Sequence, residues 1–299
     1  MNSEQEDVRE SPFDPAAPLT PTGNLRRRRA VSRVAESGAT FAAVLAVGVL
    51  AIVVYSVVVH GASALSLDFL LEGAPNGIGP ALVGTAEIVA IATLFAVPLG
   101  VLVALYLVEF GSGRLAMPIR LALDVMNGYP SIIVGVFIYA LIVEATQSQS
   151  GIAASVALAI IMLPIVARGT EEVLRLVPDS MREASDALGV SRWRSVLTVI
   201  LPSAVGGIAT ASILAVARAA GETAPLLLIT SNNPGISVSL NPFEAVPNIP
   251  VTIYRLSEEA NPEGFTRAWG AGFVLLAFIM AANVFARVLL NRSRRKMAG

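Results

Sequence analysis

From Ala39 to Val59 the chain runs for 21 residues without a charged side chain. A helix of about 20 apolar residues is what crosses a hydrocarbon layer roughly 30 Å thick. Within lipid the backbone must satisfy its own hydrogen bonds, so only helices and closed barrels are allowed there. The run also exceeds the roughly 7–15 apolar residues of a secretory signal core, although Ala62-Ser63-Ala64 resembles a cleavage site. We read it as the first membrane span. Similar runs lie near 81–107, 118–143, 151–168, 203–229 and 268–290, which predicts an all-α integral membrane protein with six spans. Asn127-Gly128-Tyr129-Pro130 interrupts the third and Pro164 the fourth. Composition agrees: 14% of the residues are charged, against about 25% in soluble domains.

Chemistry is bounded by what is rare. Cysteine is absent, which removes disulfides, thiolate metal sites and cysteine nucleophiles. The only histidine, His60, follows the first span and reads as structural, and the only lysine, Lys296, stands in Arg-Lys-Met. A phosphate-binding P-loop needs Gly-Lys-Ser/Thr. This chain is therefore not a P-loop ATPase.

Orientation follows from the basic residues. With the N-terminus inside, 18 of the 21 fall in inner segments, only Arg255 and Arg267 fall outside, and Arg218 lies within a span. The positive-inside rule then places both termini in the cytoplasm and the chain in the plasma membrane. The expected organisation is a disordered cytoplasmic arm (1–36), a permease domain (37–291) and a basic tail (292–299). The outer loop 231–266 either meets an extracytoplasmic partner or is a passive linker.

The inner segment 171–202 is the longest polar interval of this kind, and it is built to fold. Ser180 and Glu183 have capping-box spacing. Met181, Ala184, Ala187 and Leu188 then share one side of a helix of about two turns. Gly189 sits where a left-handed residue ends such a helix, and Ser191 can cap the next. A helix so short is marginal alone, so it needs a surface. One such surface is the membrane, since Trp193 lies between Arg192 and Arg194.

Glu183-Ala184-Ser185, Gly189, Val199, Leu201 and Pro202 also match the spacing of the EAA loop of ABC importer permeases. With ARAAGETAPLL (217–227), AVPLGVLVALYLVEF (96–110) and GYPSIIVGVF (128–137), the chain resembles the A-type permease subunits of the Pst phosphate importers. Ser185 and Val199 depart conservatively from the motif. The resemblance implies a MetI-like ABC importer permease fold with no catalytic activity. Glu183, Ala184, Gly189, Leu201 and Pro202 would couple it to an ATPase. It also implies a C-type permease partner, two ATPase subunits that hold the ATP and Mg, and an extracytoplasmic phosphate-binding protein. This chain itself would bind no cofactor. Phosphate and membrane lipid are expected contacts, and nucleic acid is not.

In the fifth predicted span Arg218 and Glu222 are four apart and would share a helix face. A charge at the bilayer centre costs roughly 2.5–3.5 kcal/mol on insertion scales, so the pair should face the bundle interior. We assign Arg218, Glu222 and the adjacent Thr223 to the substrate path, the alternative being that the ion pair only holds helices together. Gly207, Ala211, Ala215 and Ala219 form a small-residue stripe suited to close helix approach. Glu87 is expected near an exposed edge, and Asp124 at a wet path or paired with arginine. Two other functions stay open. One is a secondary carrier or channel using Glu87, Arg218 and Glu222 as an ion relay, and the other is an ABC permease for a different oxyanion.

Overall fold

A computed structural model describes residues 25–297, apart from 75, 112, 232–237 and 260, with side chains over 27–288. The acidic and proline-rich part of the N-terminal arm and the side chains of the basic tail lie outside the described residues. The chain forms two compact units, 1–54 and 55–299. Residues 25–54 of helix α1 (Leu25–Ala62) make up the described part of the first. The helix begins 12 residues before the arm was expected to end. Leu25 to Arg29 are good helix formers, and nothing at the membrane edge obliges a helix to stop.

Among its described residues, the regular elements of the second unit are all helices. A short α2 (Leu67–Leu71) leads into α3 (Gly79–Leu105), which continues through a π turn, Tyr106–Phe110. Next come α4 (Ala116–Gly128) and α5 (Ser131–Ile138). A second π turn, Tyr139–Val143, and the stub α6 (Glu144–Thr146) complete this stretch. α7 (Gly151–Arg175) precedes α8 (Asp179–Ala187) and α9 (Arg192–Ser195). A third π turn, Val196–Ile200, opens α10 (Leu201–Ala220). The rest is α11 (Leu226–Ile229), α12 (Ile249–Glu258) and α13 (Pro262–Met297).

Five stretches are long and apolar enough to cross a membrane: Arg27–Ala62, Gly79–Phe110, Gly151–Arg175, Arg192–Ala220 and Pro262–Val288. The third predicted span, 118–143, is instead two helices bent by 101°. Tyr129 is extended (φ −84°, ψ 151°) ahead of Pro130, because a residue before proline is pushed out of the helical region. The fifth, 203–229, is likewise not one helix. It stops at Ala220, and Gly221 to Pro225 turn before α11 begins.

α3 lies along α7, and α7 along α10. Alanines make this closeness possible: Ala92, Ala96, Ala153, Ala154, Ala157, Ala215 and Ala219 are all buried. A Cβ on Gly169 would stand 2.6 Å from that of Ala211, and one on Gly207 would collide with Val173. The small-residue stripe therefore packs against α7 of the same chain, with no space for a helix from outside.

The loop 231–266 is hydrogen-bonded to the rest of the bundle where it is described. Asn248 caps α12 by accepting from the Val251 amide at 3.0 Å, and its own amide donates to Thr230 Oγ1 at 2.8 Å. The Ile249 amide donates to Thr85 Oγ1 at 2.8 Å, and the amides of Gly151 and Ile152 donate to the carbonyls of Glu244 and Pro242. Outside the spans, hydrogen bonds from Ser239 and then Asn241 hold the Glu244 carboxyl below its usual pKa.

Candidate functional site: a coupling segment and a charged helix end

Between α7 and α10 the chain leaves the bundle as a short outward arm. α7 runs on to Arg175, and α9 merges with the π turn and α10, so the arm proper covers only 176–191 within the expected 171–202. Its helix starts at Asp179 with Pro178 as the cap residue. Ser180 thus lies inside the first turn, and no side chain caps this end. Proline outcompetes the capping box because its fixed φ already suits a helix start. Ser191 occupies the cap position of α9, again without a side-chain bond.

The end of α8 follows the expected pattern. Gly189 has φ +69°, the left-handed conformation that costs glycine nothing. The Val190 amide donates to Ser185 O at 3.1 Å and the Gly189 amide to Asp186 O at 2.9 Å, which uses carbonyls the helix leaves open. Ser185 and Met181 face the bundle. Glu183, Ala184 and Ala187 face away from it. Leu188 is 81% exposed, and Leu176 at the start of the arm is 82% exposed. Leu201 packs in the cluster beneath, with Ile200 and Val196. Pro202 cannot donate to Thr198, and the preceding turn is correspondingly wide.

One arginine fastens the arm. Arg182 Nη2 donates to Glu109 Oε1 at 2.9 Å and to Leu174 O at 3.0 Å, and Nη1 donates to Val177 O at 2.7 Å and Asp179 Oδ1 at 3.1 Å. Glu109 is 2% exposed. Its carboxylate is the main reason that the Arg182 pKa rises above the ordinary value, against the opposing effect of burial. Beside it Phe110 lies 5.9 Å from the ring of Trp193, with Arg192 over its face. None of this was legible in the sequence, since Glu109 and Arg182 are 73 positions apart.

A second unpredicted cluster holds α4 to α7. Glu171, buried, accepts from Arg120 at 3.0 Å, Arg168 at 2.8 Å and Arg175 at 2.7 Å. Arg168 also pairs with Asp124, so Asp124 takes the arginine-paired alternative. All of these groups except Arg120 border an open polar cavity with a volume of about 690 Å³. The spacing Arg168, Glu171, Arg175 is the i, i+3, i+4 pattern of helix ion pairs, and was the one available signal.

The structure brings Arg218 and Glu222 together, but not on one helix. Gly221 ends α10, the Glu222 amide donates to Ala219 O, and the carboxylate reaches Arg218 Nε at 3.5 Å. Thr223 follows in the turn and its carbonyl accepts from Leu226 and Leu227. From Arg194 to Arg218 the helix rises about 36 Å at 1.5 Å per residue. The pair therefore sits at the end of α10 remote from the arm, not at mid-helix. The Arg218 side chain is 62% exposed and that of Glu222 15%. A cation left open at the end of an apolar helix must meet water, an anion or a partner chain. Close by, a Cβ on Gly135 of α5 would touch Pro225 at 2.7 Å, so the broken third and fifth spans abut. Glu87 departs from expectation: both carboxylate oxygens are buried and lack a hydrogen-bond partner. It faces inward among packed helices, and no bond connects it to Arg218 or Glu222.

Long apolar helices, two of the predicted spans broken, and an arm with exposed leucines describe a multi-pass membrane protein. Residues 96–298 match the family model described as binding-protein-dependent transport system inner membrane component. The chain belongs to that family, among the phosphate transport system permease proteins of the PstA group. It is 40% identical over 233 residues to phosphate transport system permease protein PstA 1 of Mycobacterium tuberculosis, covering 76% of this chain and 74% of the relative. The PstA of Haemophilus influenzae is 36% identical over 248 residues (81% and 87%), and that of Xylella fastidiosa 32% over 276 residues (90% and 96%). The fold is shared with a bacterial alginate ABC transporter (TM-score 0.63, 13% identity, 88% and 97% covered). It is also shared with the MetNI methionine ABC transporter (TM-score 0.56, 20% identity, 74% and 96% covered).

Proposed function

We propose that this chain is the A-type permease subunit of an ATP-driven importer of inorganic phosphate. It is a non-catalytic transport subunit that works with a C-type permease, two ATPase subunits and an extracytoplasmic phosphate-binding protein. ATP and Mg belong to the ATPase, and this chain holds no cofactor. Both termini are cytoplasmic, which puts the arm with Glu183, Ala184 and Gly189 on the ATPase side. Leu201 and Pro202 connect it to α10.

The single observation that carries this reading is the arm itself. It carries a two-turn helix closed by a left-handed Gly189, and it leaves Leu176 and Leu188 bare. Such a helix needs a partner surface, and the PstA likeness supports reading that partner as the ATPase. At the far end of α10, Arg218, Glu222 and Thr223 serve the substrate path. Arginine offers forked donors to an oxyanion. A carboxylate can accept the P–OH proton that phosphate keeps near neutrality and sulfate lacks. The ion-relay alternative is weakened by the isolation of Glu87 from that pair.

The test is reconstitution. The complex purified from native membrane should contain a P-loop ATPase, and phosphate uptake into proteoliposomes should require ATP. Uptake that continues without the ATPase and collapses with the proton gradient would favour a secondary carrier.

A further inference from the structure

We propose that Glu109 and Arg182 form a clasp that delivers the motion of the coupling arm directly to α3, and that Arg182 and Glu109 are positioning residues for transport. The inference rests on the importer reading and goes beyond it, because the arm is joined by the chain itself only to α7 and α10. α3 is not its neighbour along the chain. The connection is made by one guanidinium that grips three elements at once. It pairs with Glu109 in the π turn that follows α3, donates to the carbonyl of Leu174 in α7 and to that of Val177 just beyond it, and belongs to α8. Phe110 against Trp193 adds a second contact between the same π turn and the segment entering α10. A shift of α8 therefore cannot leave α3 behind without exposing Glu109 as an uncompensated buried charge, which is strongly unfavourable. A wide turn at that point suits the task, because π turns are places where a helix yields locally.

The experiment uses the whole reconstituted complex, with the binding protein held constant, and reads phosphate moved per ATP hydrolysed. In Glu109→Gln the complex is expected to assemble and hydrolyse ATP, while phosphate moved per ATP falls by about tenfold, the scale of a typical coupling free energy. Glu109→Asp, which keeps the charge, should recover part of that ratio. The chain contains no cysteine, so Glu109→Cys with Arg182→Cys, in partners stripped of cysteine, gives a second reading. Bridging the two thiols with a short reducible bis-thiosulfonate linker should restore the ratio, and reduction should abolish it again. If the assembled Glu109→Gln complex keeps the wild-type ratio, the clasp is overturned. If that variant fails to assemble, the thiol pair decides: no difference between bridged and reduced forms overturns the proposal equally. A wild-type complex without ATP-driven phosphate uptake would instead refute the importer reading, which separates the two failures.

Discussion

Replacing Gly189 by valine tests the arm with a penalty that can be worked out beforehand. The residue has φ +69°, and a Cβ placed there would meet nothing within 4 Å. The cost is therefore not a clash within this chain but the conformation alone. A left-handed backbone costs an L-residue roughly 1–2 kcal/mol, and a β-branched one stands at the upper end. About 2 kcal/mol is roughly thirtyfold in an equilibrium, and a two-turn helix has little reserve with which to absorb it. Gly189→Val should thus leave the bundle folded while lowering uptake by about tenfold or more, through poor assembly or through hydrolysis without transport. Asparagine tolerates the left-handed region, so Gly189→Asn should retain most activity. The assay is ATP-driven phosphate uptake in proteoliposomes beside ATP hydrolysis, with copurification to score assembly. Wild-type uptake by Gly189→Val would refute the reasoning, because the turn would then not need its conformation. Equal damage by asparagine would locate the requirement in a surface that touches Gly189 from outside.

Two further outcomes follow from the bundle. Arg218→Gln should abolish phosphate uptake in an assembled complex, whereas Glu222→Gln should weaken it and admit sulfate at the membrane step; wild-type phosphate transport by both would mark the pair as packing. Gly169→Ala should lower the thermal unfolding temperature in detergent, since its methyl would press on Ala211 at 2.6 Å and overpacking costs about 1–3 kcal/mol, and adding Ala211→Gly should recover most of the loss.

Local chemistry was legible in the sequence and distant chemistry was not. Gly189 announced its turn, and Tyr129-Pro130 announced a break, because glycine and proline act through their own backbone. The end of α10 was misread for the same reason in reverse. Arg218 and Glu222 at four apart fit a helix face, but Gly221 between them stops the helix, and the ion pair forms across the turn instead. Ser180 and Glu183 had the right spacing for a cap, yet Pro178 had already started the helix. Glu87 looked peripheral by position, and only the packing of α3 buries its carboxylate. Glu109 with Arg182, and Arg120 with Glu171, join segments whose separation along the chain carries no periodic signal. The candidate coupling site was thus visible as a surface, while its anchoring to α3 was not.

The close fit of α7 on α10 has a mechanical consequence. Gly169 against Ala211 and Gly207 against Val173 leave no room for one helix to slide past the other. The arm leaves from the end of α7 and returns at the start of α10, so both its roots are set in a single stiff block. A handle fixed at both ends to one block can push, pull or twist it, but it cannot be stretched. A force applied at Leu188 would therefore move the block as a whole, with little lost to bending between its two helices.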